Sequence, residues 1–153
     1  MMGRLLNFIN EVRKITLPYG YGRERFKAVE AEEMNHVKVA ESVEGTRFND
    51  QFLVEYNRLQ DIKVFADMLR NADELMDTTV QREPDFDLEI HYKADAVERY
   101  QLWLGRNGTP SVLSNVSESH RLYKVEADIT GRLIVTLQVD AYPSMVLETS
   151  FTY

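Results

Sequence analysis

Apolar side chains in this chain recur with two different periods, and the change from one to the other falls near residue 80. Over residues 61–76, Ile62, Phe65, Met68, Leu69, Ala72, Leu75 and Met76 return every three or four positions, with Lys63, Asp67, Arg70, Asp73 and Glu74 opposite them. That spacing predicts an amphipathic helix lying on a sheet. Asp61 is its expected N-cap, because a carboxylate there can accept from the free N–H groups of the first turn. Beyond residue 85 the period becomes two. Phe86, Leu88, Ile90 and Tyr92 alternate with Asp87, Glu89 and His91, and Tyr100, Leu102 and Leu104 alternate with Val97, Arg99, Gln101 and Trp103. Residues 93–96 and the Asn107-Gly108 pair supply turns, the second because both residues tolerate positive φ. Strands over 111–116 and 120–125 complete an antiparallel meander.

Upstream, residues 36–42 and 52–56 read as strands around a turn at 44–46. Residues 27–34 have helix-forming composition without a clear pattern. Residues 126–138 carry both periods at once: Ile129, Leu133, Ile134 and Leu137 suit a helix, and Leu133, Val135, Leu137 and Val139 suit a strand. Gly131 and the β-branched residues weigh against the helix on propensity alone. Pro143 confines the tail to a loop or an edge strand. Residues 3–16 read as a short amphipathic helix with a polar stripe of Arg4, Asn7, Glu11 and Lys14, ended by Pro18. The expected organisation is therefore an amphipathic N-terminal helix (1–18), a linker (19–34) and one α+β domain (35–153). In that domain an antiparallel sheet, the meander over 86–125 plus the earlier strands, carries the main helix on one face, with a second helix at 126–138 as one of two readings.

Length and composition narrow the field. At 153 residues, 44% hydrophobic and 28% charged, the chain suits a single globular core. The formal charge of −7 is unevenly spread: residues 1–27 carry a net of +4 and residues 28–100 a net of −10. Such an acidic body repels phosphate backbones, so no nucleic-acid partner is expected. The absence of cysteine removes disulfides, thiolate metal sites and thiol catalysis. No apolar run is long enough to span a bilayer, and the polar residues among 7–14 make a poor signal peptide. A cytoplasmic location follows as the default. The apolar face of residues 1–18 needs cover from the domain body, a membrane surface or a second copy, which makes weak lipid contact and a homodimer the partner expectations for that segment.

The Pro84-Asp85 step into an acidic-apolar strand, the polar hairpin, YQLWLG at 100–105 and LYKV at 122–125 together resemble the YhfM-like domain of bacterial lipoproteins, over roughly residues 35–138. The resemblance implies a helix on an antiparallel sheet, favours a helix at 126–138, and suggests the cell envelope as an alternative location. It implies no catalytic residues and no cofactor.

Two groups stand out as candidate sites. Asp85, Asp87, Glu89 and His91 share one strand face, with neighbours about 7 Å apart; carboxylate oxygens and an imidazole suit a divalent metal, and the alternative is a solvated outer face. The same carboxylates lack the flanking geometry that a hydrolytic acid and base require. Trp103, with Val97, Arg99 and Gln101, lies on the face opposite the core residues. An outward tryptophan there would anchor a protein or peptide partner unless the chain's own segments cover it. The function expected from the sequence is a non-catalytic binding domain. A metal-dependent protein or hydrolase using the acidic face, and an acidic inhibitor of the immunity type, are the alternatives.

Overall fold

The computed structural model describes residues 29–45 and 47–139. The expected helix at 1–18, most of the linker and the expected edge strand of the tail lie outside them. Among the described residues seven strands form one antiparallel sheet: β1 (Met34–Glu41), β2 (Val54–Tyr56), β3 (Asp73–Leu75), β4 (Phe86–Tyr92), β5 (Val97–Trp103), β6 (Ser111–Asn115) and β7 (Leu122–Val125), in the order β2-β1-β4-β5-β6-β7-β3. Two helices, α1 (Leu59–Arg70) and α2 (Ala127–Leu137), complete the α+β fold.

The inner face of the sheet is the apolar set of the two-residue period. Val37, Val39, Phe86, Leu88, Ile90, Tyr100, Leu102, Leu113, Tyr123 and Val125 are buried, and they share one core with Ile62, Phe65, Met68 and Leu69 of α1. A bulge between Met34 and His36 resets the alternation of β1. The extra residue lets Met34 and Val37 both enter the core although they are three apart, while His36 keeps the outer face by its alternation with Val37. The segment expected as linker is not all linker: Val29 and Ala31 are buried core residues, and Ala31–Glu33 forms a 3-10 turn rather than an α-helix.

The main helix is shorter at its end than its apolar spacing suggests. It stops at Arg70, where the Asn71 side chain donates to the Asp67 carbonyl at 2.8 Å and its backbone N–H donates to the same oxygen at 3.0 Å. Asp73–Leu75 then pairs with β7, so residues assigned by pattern to the last helical turn instead extend the sheet. Asp61 is not the N-cap; Arg58 occupies that position, and Asp61 sits in the first turn, where a negative charge suits the helix dipole.

Residues 127–137 are helical, as the family resemblance favoured. Ile129, Leu133 and Leu137 are buried at four-residue steps, while Val135, which the strand reading would have placed beside Leu133 and Leu137, is 75% exposed. β7 already meets β6 and β3, and α2 lies against α1, where Arg132 reaches Asp67 at 2.8 Å.

Candidate functional site

The outer face of the sheet carries the polar half of the alternation, arranged in rows across the strands. Register places His36 opposite His91 and His91 opposite Val97; Lys38 lies opposite Glu89, and Glu89 opposite Arg99; Ala40 lies opposite Asp87, and Asp87 opposite Gln101. Period-two reading thus assigned the right residues to this face. It did not show that much of the face is roofed by the chain itself.

The expected solvated acidic row is largely buried. Asp87 is fully enclosed, and Glu89 is 6% exposed. The segment between β1 and β2 crosses above them. Ser42 Oγ donates to one oxygen of Asp87 at 2.5 Å, the Asn49 N–H donates to the other at 2.6 Å, and Asn49 Nδ2 returns to the Glu41 carbonyl at 2.7 Å. Gln101 Nε2 donates to the Arg47 carbonyl at 2.9 Å. Phe48 and Phe52 meet edge to face, with the Arg99 guanidinium 4.5 Å over the first ring and the Lys38 ammonium 5.7 Å over the second.

Asp85 precedes β4 rather than lying within it. Arg82 clamps it through two bonds of 2.7 and 2.8 Å, and the Leu104 N–H donates to it at 2.8 Å. Burial nonetheless pushes its carboxyl above the usual range, outweighing Arg82 and the Leu104 N–H. The same 82–85 segment covers Trp103, which is 8% exposed and donates its indole N–H to the Arg82 carbonyl at 2.7 Å. The tryptophan lies on the side its alternation indicated, with its own chain over it.

Among the described residues, the part of the face left accessible is the β4–β5 hairpin end. His36 and His91 stack with ring centroids 4.1 Å apart and planes inclined by 20°. His91 Nε2 lies 2.7 Å from one oxygen of Glu89, and Arg99 Nε donates to the other at 2.9 Å. Burial raises the pKa of Glu89, but the bonds from His91 and Arg99 overcome this and hold it below its ordinary value. Burial and the neighbouring His91 lower that of His36. Beside this cluster Val97 is 50% exposed. With Arg47, Arg99, Asn115, Ser117 and Glu118 it borders an open depression of about 480 Å³. No group of three or more His, Asp or Glu among the described residues is placed to hold one metal ion, so Asp85, Asp87, Glu89 and His91 do not form a single cage.

The class of protein defined here is an α+β domain whose outer sheet face is roofed by its own loops, among the described residues, except at one hairpin end. The chain belongs to the YhfM protein family, whose model matches residues 36–141. No curated protein matches it. Among solved structures it is similar to a thioesterase-like protein from Clostridium sporogenes, at 9% identity and a TM-score of 0.53, over 71% of this chain and 97% of that one. At that identity the likeness speaks to the fold alone. No helix among the described residues is long and apolar enough to cross a membrane.

Proposed function

We propose that the domain is a non-catalytic binding module that receives a protein or peptide segment at the open end of the outer face, over Val97 and Arg99. The observation that carries this reading is the depression itself. It sets an exposed apolar side chain beside an arginine already fixed by Glu89 on one side and Phe48 on the other. An arginine ordered before binding loses little side-chain entropy on meeting a carboxylate, which lowers the cost of association. Trp103 is covered by the 82–85 segment and takes no part in this contact, and Gln101 holds the Arg47 backbone in place. Contact falls to Val97 and Arg99.

Site-specific photo-crosslinking tests this in cells expressing the protein. A crosslinker at position 97 should yield one discrete adduct that disappears when Arg99 is replaced by Gln, while the same group at Ala94 yields none. A uniform smear from both positions, or no adduct at 97, overturns the reading.

A further inference from the structure

The three histidines of the chain are His36, His91 and His120. Two of them meet on the outer face, where the β1–β4 register sets them directly opposite each other. Their rings are nearly parallel with centroids 4.1 Å apart, which brings the two imidazoles within the span of one cation. Two imidazole nitrogens bound to one cation at about 2.0–2.1 Å stand about 3–4 Å from each other, depending on the bond angle. Chelation requires the rings to leave this parallel stack by turning about Cβ–Cγ, a side-chain motion that asks nothing of the strands. The His91 side chain is 24% exposed and His36 is half-buried, so an ion can reach both from solvent.

Glu89 adds a feature that simple ring stacking does not require. Its oxygen 2.7 Å from His91 Nε2 selects the tautomer in which that nitrogen carries the proton, leaving the lone pair on Nδ1. A carboxylate that fixes the tautomer of an imidazole in this way is the usual outer partner of a metal-binding histidine. Arg99 holds the other oxygen of Glu89, so the carboxylate is kept in place when His91 turns.

We propose that His36 and His91 form a two-imidazole chelate for a divalent transition cation of the zinc, nickel or copper class, with Glu89 as the positioning carboxylate behind His91 and water completing the coordination. Imidazole pairs suit these ions, whereas calcium and magnesium prefer oxygen ligands. The assignment keeps Glu89 and His91 from the acidic face and leaves out Asp85 and Asp87, which are bound to Arg82 and to the 42–49 segment. It stands independently of the binding-module reading.

The test uses the full chain, without an added histidine tag. Calorimetric titration with Zn²⁺ should show one equivalent bound, reduced at least tenfold in affinity by His36→Asn or His91→Asn and unaffected by His120→Asn. Glu89→Gln should weaken binding by about 10–100-fold. Substoichiometric Cu²⁺ added to the wild-type protein should broaden the imidazole NMR signals of His36 and His91 before that of His120, a readout independent of whether any variant folds. Equal broadening of all three, no broadening, or zinc binding unchanged in both folded histidine variants overturns the site. Unchanged affinity in Glu89→Gln removes the positioning role of that carboxylate.

Discussion

Asp87 is a fully buried carboxylate whose two strongest partners belong to a segment nearly forty residues or more away in sequence: Ser42 and the backbone of Asn49. Bonds of this kind are worth about 1.5–3 kcal/mol each, and a donor stranded without an acceptor adds its own penalty. Replacing Asp87 by Ala should therefore cost about 2–4 kcal/mol in urea unfolding. The 42–49 segment loses its tether in the same variant, so trypsin cleavage after Arg47 should accelerate under native conditions, ahead of cleavage elsewhere. Nicking at the wild-type rate would show that Phe48, Phe52 and the Asn49 amide hold the segment unaided. The face occupied by Asp87 was legible from its alternation with Phe86 and Leu88. Its burial was not, because a roof supplied by residues 42–52 leaves no trace in the period of the strand beneath. The same reason separates the sequence expectation for Trp103 from its covered position under residues 82–85.

At the level of elements, periodicity located helices and strands well wherever one period dominated and less well where two competed. Ala72, Leu75 and Met76 continue the helical phase of α1, yet Asp73–Leu75 is a strand because the free side of β7 offers a ladder of backbone hydrogen bonds. Residues 126–138 carried both patterns, and burial of Ile129, Leu133 and Leu137 on one helical face decided between them. The LWLG motif that suggested the family has a physical basis in its glycine. A Cβ at Gly105 would collide with the Pro110 carbonyl oxygen, at the point where the connection from β5 to β6 closes on itself. The Gly105 N–H also donates to Ser111 Oγ at 2.9 Å, and Ser111 pairs with the buried Thr130 of α2 at 2.7 Å. Gly105→Ala must displace this backbone and strain that polar chain, so it should lower stability by about 1–3 kcal/mol. Gly131→Ala is the control. Its Cβ meets only the Asn107 side-chain oxygen, at 3.2 Å, which can move aside. It should gain about 0.5–1 kcal/mol from helix propensity. Equal urea midpoints for the two variants would contradict the close-approach argument.

Across the whole molecule, His36 is one group through which pH acts on folding. Burial and the facing His91 lower the pKa of His36 from its ordinary 6.5; Glu55 and Glu89 pull it up and Lys38 pushes it down, with the lowering influences prevailing. The folded state therefore favours neutral His36, whereas the unfolded chain takes up its proton at the ordinary value. Below pH 6.5 the unfolded state binds more protons, so stability is complete above that pH and declines as pH falls through the lowered folded value. The side chain is half-buried and not enclosed, which keeps this slope shallow. Glu89 acts in the same direction at lower pH: its depressed pKa gives stability that is present above its ordinary 4.5 and is lost on further acidification. Asp85 runs opposite, since its raised pKa favours the protonated folded form and partly offsets the loss in acid. Melting temperatures recorded from pH 7.5 to 5.5 should thus decline gently, and His36→Gln should flatten that decline while His120→Gln leaves it intact. The measurement belongs in the presence of a chelator, because a cation bound by His36 and His91 would stabilise the same neutral rings and steepen the curve. A decline that persists unchanged in His36→Gln would move its origin away from His36.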